Sequence, residues 1–495
     1  MFDEERVGIA IIGAGPGGLC MGARLREAGF EDFVLLERGE GVGGTWRHNR
    51  YPGCGVDTAC HTYSFSFARK QDWSRPYASQ AELLAYFEGL AVDHRLLERA
   101  RFGCSVELAR WDPRRASWTL RLSGGEQLHA RVLVSAVGMF NKPAYPDIPG
   151  LSSFTGPCMH TARWDPSCEL AGRRVAVIGS AASAVQLVPA LVELGARVDL
   201  YQRTPNWVMP LDNTPYTPAQ LRAFAADPSI LEAKRIEMRA QVERFITYDD
   251  PKLLAEVEAL CVQNLARVED PELRDRLRPR YPLGAKRPLQ SERFFPAFNS
   301  GRVQLLSAPI DRIEAGGIHT EDGRFHPAEL LALATGFSTT EFASVIDIHG
   351  REGRSLREVW AAAGGAQAYL GISVAGFPNF FMLYGPNTNS GVIPPMLEIQ
   401  VSHVLGLIEH MDDGELATLE VRAEVQTAHD EIVQAALAKI EVWQLGVNNY
   451  HRAPSGRNVT QWPFTMATYA ELARTPDPTD YHATGPRPLR CAVGS

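Results

Sequence analysis

Two stretches of the chain share one order of apolar and polar positions. Each has a short apolar run, a small-residue turn, a helical stretch and a second apolar run that ends in a charged residue. In the first stretch these are residues 9–12, a glycine turn, residues 19–28 and residues 33–36. Short continuous apolar runs are typical of parallel strands buried on both faces. The pattern predicts a strand–helix–strand unit and an α/β fold.

The turn of the first stretch reads GxGxxG, with Gly13, Gly15 and Gly18. Such a turn lets the backbone approach a pyrophosphate at a helix N-terminus. The second stretch has its first strand at residues 175–178, and its fingerprint positions are Gly179, Ala181 and Ala184. Two alanines make this match weaker. Together the stretches predict two Rossmann-like dinucleotide-binding domains.

The two predicted sites differ in the charged residue that follows the second apolar run of each stretch. Glu37 follows Gly13 at the same spacing as Arg203 follows Gly179. A carboxylate accepts hydrogen bonds from ribose hydroxyls, whereas a guanidinium can bind a ribose 2′-phosphate. The first site is therefore predicted to bind FAD and the second NADPH, with Thr204 at the phosphate rim. The alternative for Arg203 is a solvated surface residue.

Residues 217–280 differ from both units, because they are charged, rich in alanine and leucine, and helical in period. Four dipeptides there are typical of an N-cap followed by proline: Thr217-Pro218, Asp227-Pro228, Asp250-Pro251 and Asp270-Pro271. We expect a helical insertion that covers a site.

The predicted order of domains along the whole chain is an FAD-binding segment 1–145, a linker 146–170, an NADPH-binding segment 171–210, the insertion 211–283, an NADPH-binding segment 284–345 and an FAD-binding segment 346–495.

Composition narrows the function classes. The chain has 495 residues, 45% of them apolar, and a net charge of −8 without long charge runs, so a nucleic-acid partner is not supported. No apolar run is long enough for a membrane span, and the N-terminus lacks the features of a signal peptide. The eight cysteines form no CxxC pair, which argues against zinc, iron–sulfur and disulfide reductase chemistry. We expect a cytoplasmic protein with reduced thiols and no metal site.

Three further motifs carry a family resemblance. Residues 154–165 fit F-x-G-x-x-x-H-x-x-x-W-[PD], residues 43–57 read GGTWRHNRYPGCGVD, and residues 284–288 read GAKRP. With the two fingerprints, the chain resembles the Baeyer–Villiger monooxygenases. Flavin-containing monooxygenases share the glycine motifs, but Trp164 with Asp165, Asp57 and the Lys286-Arg287 pair favour the Baeyer–Villiger branch.

The resemblance implies a flavin-dependent enzyme that inserts one oxygen atom of dioxygen next to a small-molecule ketone, through a flavin peroxide formed after NADPH reduction. It implies Arg287 as the active-site cation and Asp57 as the residue that orients it. The alternative is a flavin-containing monooxygenase that oxygenates sulfur or nitrogen. We expect a monomer or homodimer. The predicted cofactor-binding residues are Gly13, Gly15, Gly18, Glu37, Gly44, Thr45, Trp46, Asp57, Gly179, Ser180, Ala181, Ser183, Arg203, Thr204, Lys286 and Asn387.

Other residues of these motifs have simpler interpretations. We expect His160 and Trp164 to serve as hinge and packing residues rather than in catalysis. The group Phe294, Phe295 and Phe298 is interpreted as core or pocket wall. Near the C-terminus the chain departs from the family pattern, since Asn448 and Asn449 precede Tyr450 and Phe464 stands where glycine is common.

Overall fold

The computed structural model describes residues 5–446 and 450–486. The strands of this part are β1 Glu5–Ile12, β2 Phe33–Leu36, β3 Ala100–Arg101, β4 Val106–Asp112, β5 Ser117–Leu122, β6 Gln127–Ser135, β7 Cys158–His160, β8 Arg174–Ile178, β9 Arg197–Tyr201, β10 Val208–Met209, β11 Leu289–Gln290, β12 Val303–Leu306, β13 Ile310–Glu314, β14 Gly317–Thr320, β15 Phe325–Pro327, β16 Leu330–Leu333, β17 Asp347–His349, β18 Phe380–Met382, β19 Leu416–Val421 and β20 Tyr481–Pro486.

The α-helices of the same part alternate with these strands in both halves of the chain. They are α1 Pro16–Glu27, α2 Thr45–His48, α3 Gln80–Asp93, α4 Ala182–Glu193, α5 Pro218–Ala226, α6 Ser229–Phe245, α7 Pro251–Leu265, α8 Pro271–Arg276, α9 Phe294–Ala297, α10 Leu356–Ala362, α11 Ile393–Asp413, α12 Ala423–Leu437, α13 Glu441–Gln444 and α14 Met466–Ala473.

The larger sheet is built around the first predicted unit. Its order is β17-β4-β5-β6-β1-β2-β3, and β18 pairs with the end of β6. Strands β2, β1, β6 and β18 run parallel, whereas β5 runs antiparallel to both neighbours. We call this sheet with its helices the first unit. Because β17 and β18 lie in it, the chain returns to the first unit after leaving it.

The second sheet is parallel throughout, in the order β12-β9-β8-β16-β7. We call this sheet with its helices the second unit. Its strands are buried, and Val175, Val177 and Leu200 are fully or almost fully enclosed under α4. The edge strand β7 comes from the segment predicted as a linker. The fold is therefore α/β, as predicted, with a mixed sheet in the first unit and a parallel sheet in the second. The motif around His160 also contributes a strand.

Several predicted boundaries shift in the structure. The first helix begins at Pro16 rather than at residue 19, because proline is well suited to the first helical turn. The apolar runs at residues 130–138 and 330–337 each predict a strand over their whole length, but β6 and β16 end at Ser135 and Leu333. The residues that follow Ser135 leave the sheet to line a cavity. These shifts leave the order of elements unchanged.

The helical insertion consists of α5 to α8. The carboxylates of Asp250 and Asp270 and the hydroxyl of Thr217 cap α7, α8 and α5, as predicted. The prediction for Asp227 is wrong by one residue, since Pro228 is the N-cap of α6 and Asp227 ends α5. Its extended backbone still lets the carboxylate accept a hydrogen bond from the Ser229 N–H at 3.0 Å.

The insertion packs on the first unit through polar contacts. Arg69 forms an ion pair with Glu232 at 2.7 Å, and the Met466 N–H donates to Glu243 at 3.0 Å. A hydrogen bond of 2.9 Å joins His61 Nε2 and the Tyr216 hydroxyl. Within residues 5–446 and 450–486, no helix is long and apolar enough to cross a membrane.

The two chain connections between the units are tied together. The Ala144 N–H donates to the Gly336 carbonyl at 2.9 Å, and the Thr335 hydroxyl donates to the Ala144 carbonyl at 2.6 Å. His160 Nε2 lies 3.0 Å from the same Gly336 carbonyl, while its Nδ1 accepts from the Ala162 N–H. An accepting Nδ1 requires the proton on Nε2. Burial lowers the pKa of His160 and favours this neutral form.

Candidate active site

The first glycine turn brings the backbone of β1 against the end of β6. Gly13 has φ +103°, and a Cβ there would lie 2.8 Å from the Ala136 carbonyl oxygen. A Cβ at Gly18 would lie 1.9 Å from the Gly13 oxygen. Both positions therefore require glycine, because any side chain would displace the backbone. As a result α1 begins directly at the turn, with its free N–H groups facing the carboxyl edge of the sheet.

Glu37 ends β2 at this edge and is only 5% exposed. One carboxylate oxygen accepts the Ala14 N–H at 2.8 Å, and the other accepts the Gly39 N–H at 2.7 Å. The glycine turn and the carboxylate thus hold each other in place. Because each carboxylate oxygen can accept more than one hydrogen bond, Glu37 retains acceptor capacity for ribose hydroxyls.

A cavity of about 450 Å³ opens above this turn. Five predicted cofactor residues line it: Gly13, Gly15, Glu37, Gly44 and Thr45. The backbones of Gly15 and Gly44 meet at its wall, where a Cβ on Gly44 would lie 2.7 Å from the Gly15 Cα. A helix N-terminus, a close backbone cradle and a fixed carboxylate fit the pyrophosphate and ribose of FAD.

Gly18 and Trp46 lie behind this wall rather than in it. Gly18 is buried at the contact with Gly13. Trp46, on α2, is 8% exposed and stands edge-on to Tyr63, with ring centroids 5.6 Å apart. Tyr63 itself lines the cavity. These two predicted residues support the cavity from behind.

The second turn repeats the backbone geometry of the first. Gly179 has φ +108°, and a Cβ there would lie 2.4 Å from the Ala334 carbonyl oxygen. Ala181 is the exposed N-cap of α4, Ser183 lies in the first turn of this helix, and Ala184 is fully buried beneath it. Alanine is therefore accommodated at both positions that lack the expected glycine.

The loop after β9 is fastened to this turn by Asn206, which the sequence analysis did not identify. Its side-chain amide donates to the Ser180 carbonyl at 2.9 Å and lies 3.3 Å from the Ser180 hydroxyl. The Ser180 hydroxyl is in turn 3.4 Å from the Thr204 carbonyl oxygen. These contacts hold Thr204 and Arg203, both exposed, beside the N-terminus of α4.

Arg203 and Lys286 form a pair of cations at this edge. Neither has an ion-pair partner in the part of the chain that the structure describes. Partial burial, followed by the charge of Arg203, lowers the pKa of Lys286. The Lys286 Nζ lies 5.3 Å from the centroid of the Tyr281 ring, and the Tyr281 hydroxyl donates to the Pro205 carbonyl at 2.8 Å. Tyr281 thus joins the loops that carry the two cations, which suit a phosphate group.

Arg287 and Asp57 meet across the two units. Arg287 comes from the loop before β11, and Asp57 comes from the loop after α2. The guanidinium lies 2.7 Å from the carboxylate, and the two side chains are 40% and 21% exposed. The charge of Asp57 raises the pKa of Arg287. The predicted pair is thus formed, with a cation that is charged at every working pH.

Tyrosines from three parts of the chain surround this pair. Tyr248 follows α6, has φ +54°, and contacts Gly284 of the Arg287 loop. The deprotonated hydroxyls of Tyr248, Tyr384 and Tyr450 would each interact with the charge of Arg287. Burial raises the pKa of all three hydroxyls. The insertion thereby supplies part of the cover over Arg287. The sequence does not predict these tyrosines as part of the site, because their chain positions have no common spacing.

The C-terminal segment closes the same region. Asn387, predicted to bind cofactor, donates through its side-chain amide to the Asn458 and Gln461 carbonyls at 3.1 and 2.9 Å. It does not line the cavity described above. Phe464 packs edge-on against Trp462, with centroids 5.1 Å apart. The other departures from the family pattern, at residues 448 and 449, lie outside the described residues.

The remaining interpretations concern packing and metals. Trp164 and the three phenylalanines lie in the core of the second unit, so the phenylalanines are core residues. Seven cysteines of the described part are free, and Cys491 lies outside that part. Among the described residues, no group of three or more His, Cys, Asp or Glu side chains could hold a metal ion.

Comparisons with known proteins agree with this geometry. A family model described as pyridine nucleotide-disulphide oxidoreductase matches residues 10–245. A Baeyer–Villiger monooxygenase of Pseudomonas aeruginosa is 37% identical over 483 residues, covering 96% of this chain and 91% of the relative.

Two similar solved structures cover 97% of this chain and all of the matched chain. Cyclohexanone monooxygenase from Rhodococcus sp. Phi1 bound to NADP⁺ has a TM-score of 0.87 at 27% identity. The OTEMO complex with FAD and NADP has a TM-score of 0.86 at 26% identity.

The fold and the two dinucleotide sites thus define a flavoprotein oxidoreductase that uses two nucleotide cofactors. Within that class, the chain belongs to the Baeyer–Villiger monooxygenase family. It is an FAD- and NADPH-dependent monooxygenase.

Proposed function

We propose that the oxygenated substrate is a small ketone and that it reacts beside Arg287 and Asp57. The observation that carries this proposal is the 2.7 Å ion pair between them. It presents a fixed positive charge beside three tyrosines. The product of such an insertion is an ester or a lactone.

Arg287 acts on the negative charge that develops at the reacting oxygen atoms. A guanidinium keeps its charge, and one held by a carboxylate does not have to reorient as the reaction proceeds. Asp57 fixes the plane of the guanidinium by a charge-assisted hydrogen bond. Tyr248, Tyr384 and Tyr450 lie close enough to interact with the guanidinium, whose side chain stays 40% exposed.

FAD, when bound, would pass two electrons from NADPH to dioxygen and so activate the oxygen that is inserted. We propose that it occupies the 450 Å³ cavity, with its pyrophosphate at α1 and a ribose at Glu37. NADPH would lie at the N-terminus of α4, with its 2′-phosphate at Arg203 and Lys286. Gly179, Ser180, Ala181, Ser183 and Thr204 would form the rest of that site.

The test is product formed per NADPH consumed, measured with Arg287→Ala on a ketone that the unaltered enzyme accepts. Loss of one stabilising donor costs about 10²–10³ in rate. We expect oxygenation to fall by that factor while NADPH oxidation continues, with hydrogen peroxide as the product. Arg287→Lys should recover little activity, because an ammonium lacks the planar fork that Asp57 holds.

Arg280→Ala is the matched control, because Arg280 pairs with Asp275 at 2.7 Å on the exposed surface. It should keep the original ratio of product to NADPH. If Arg287→Ala also kept this ratio, the proposed role of Arg287 would be wrong. A parallel panel of thioethers and amines tests the alternative, since faster oxygenation of these than of every ketone would assign heteroatoms as the substrate.

A further inference from the structure

Gln186 makes a side-chain bridge between the two units that is separate from the Asp57–Arg287 pair. It lies in α4, the helix that follows the second glycine turn. Its side-chain N–H donates to the Gly55 carbonyl at 2.9 Å. Its side-chain oxygen accepts from the Tyr51 hydroxyl at 2.7 Å. Both ends of one carboxamide are therefore used on a single loop of the first unit.

That loop, residues 51–57, also carries Asp57. On its other side it is held by backbone hydrogen bonds, from the Gln80 N–H to the Cys54 carbonyl at 2.9 Å and from the Val56 N–H to the Ala78 carbonyl at 3.1 Å. These bonds attach the loop to the first unit. Gln186 attaches the same loop to the second unit, only two residues before Asp57.

The loop contacts α4 closely enough that only glycine fits at its nearest point. A Cβ at Gly53 would lie 2.5 Å from the Gln186 backbone oxygen and 3.0 Å from the Ala190 Cβ. The helix and the loop thus meet through backbone as well as side chain. A rotation of α4 would displace Gly55 and, through it, Asp57.

Arg287 also belongs to the second unit, because its loop leads into β11 and then into α9 and β12. Two bridges therefore cross between the units at one loop, the Gln186 carboxamide and the Asp57–Arg287 ion pair. The first sets where the loop lies when the second forms. Both bridges are directional, because hydrogen bonds to a carboxamide and to a carboxylate weaken as their angles depart from linear.

We infer that Gln186 is a positioning residue that sets the place of Asp57, and hence the guanidinium plane of Arg287, from the helix that we propose binds NADPH. This inference rests on the proposed function of Arg287. It adds a connection from the second dinucleotide site to the reacting atoms, made by a residue that contacts neither.

The experiment measures product per NADPH consumed and the KM for NADPH in Gln186→Leu. Leucine has a similar size and removes both hydrogen bonds. We expect the product ratio to fall by roughly three- to tenfold, the scale of one or two hydrogen bonds, while the KM changes less than about twofold. Tyr51→Phe removes a single hydroxyl and should give a smaller fall. It also provides the test if Gln186→Leu does not fold.

Thr335→Val is the matched control. It removes a hydrogen bond of 2.6 Å between the two chain connections, so it loosens the junction of the units without touching the loop of Asp57. It should keep the original product ratio. An equal fall in Thr335→Val, or no fall in Gln186→Leu and Tyr51→Phe, would overturn the inference.

A double-mutant cycle separates this inference from the proposed function. If Gln186 acts through Asp57, Gln186→Leu should have no further effect on the product ratio in an Asp57→Ala background. Additive effects would assign Gln186 to a role independent of Asp57 and overturn the inference alone. An Arg287→Ala variant with the original ratio would instead overturn the proposed function.

Discussion

The two dinucleotide units have the same turn and different charged ends. Gly13 and Gly179 have φ values of +103° and +108°, and each lies against the carbonyl of an alanine that follows a strand of its own sheet. Glu37 is buried and held by two backbone N–H groups, whereas Arg203 is exposed without an ion-pair partner among the described residues. We propose that the shared turn provides the nucleotide cradle and that the charged residue after the second strand of each unit distinguishes the two cofactors.

Among the changes to the two charged residues, the largest effect on cofactor binding is expected at Glu37, which is buried. Glu37→Gln replaces a carboxylate that accepts two N–H groups with an amide that can accept only one of them well. Hydrogen bonds to a charged group contribute about 1.5–3 kcal/mol, so the Kd for FAD should rise roughly 10- to 150-fold. Titration of FAD into the cofactor-free protein measures this. Glu40→Gln, at an exposed position of the same loop, should bind FAD normally, and equal binding by both variants would contradict the role of Glu37.

A change at Arg203, which is exposed, should have a smaller effect, and that effect should differ between NADPH and NADH. Arg203→Ala should raise the KM for NADPH roughly 10- to 100-fold, because one charged hydrogen bond to the 2′-phosphate is lost. The KM for NADH, which lacks that phosphate, should change little. Steady-state rates with both cofactors measure the difference. Arg197→Ala, at the opposite end of β9, is the control, and an equal loss with NADH would show that Arg203 does not bind the phosphate.

The first unit should also be the one sensitive to acid. Burial lowers the pKa of His403 to about 4, where its Nδ1 contacts the Ala473 carbonyl and its Nε2 contacts the Tyr481 hydroxyl. The unfolded value is about 6.5. The contribution of neutral His403 to stability is therefore present above pH 6.5 and is lost as the pH falls toward 4.

Between pH 7 and pH 5 this loss should be about 1–2 kcal/mol. Chemical unfolding at both pH values measures it. His403→Gln cannot take up the proton, so it should reduce the difference between the two pH values by that amount. His482→Gln, at an exposed position, should leave the difference unchanged. A pH dependence that His403→Gln does not alter would assign the acid sensitivity to other groups.

The smallest effect is expected where the second unit arranges its cations. Tyr281→Leu removes the ring beneath Lys286 and the hydroxyl that binds the Pro205 carbonyl. A cation–π contact at a partly exposed site contributes about 0.5–1 kcal/mol. The preference for NADPH over NADH, compared as kcat/KM, should fall by roughly threefold. Tyr281→Phe keeps the ring and should retain most of the preference, unless the hydroxyl rather than the ring holds the loops together.

The sequence predicted those parts of the molecule that depend on neighbours along the chain. The turns at Gly13 and Gly179, the burial of their strands and the three caps of the insertion follow from local patterns. The cap predicted at Asp227 is wrong by one residue, because Pro228 takes the N-cap position with a helical backbone while the Asp227 carboxylate still accepts the Ser229 N–H. The ends of β6 and β16 were missed because the apolar composition continues after the strand has left its sheet.

Contacts between distant segments could not be predicted in this way. Asp57 and Arg287 were paired by family resemblance alone, since neither spacing nor periodicity relates positions so far apart. The sequence did not predict the contacts of Gln186, Asn206 and Tyr281. A single polar residue in a helix or loop belongs to no repeating pattern from which its partner could be inferred. Asn387 was predicted to bind cofactor, but its amide donates to two backbone carbonyls. Its role in cofactor binding stays a prediction.

The tie between the two chain connections has a mechanical consequence. Ala144, Thr335 and Gly336 are joined by two hydrogen bonds, and His160 reaches the same carbonyl. Two chain segments that are hydrogen-bonded at one point resist sliding past each other more than they resist rotating about that point. In a small rotation about this junction the displacement of an atom grows with its distance from the junction, so the atoms closest to it would move least.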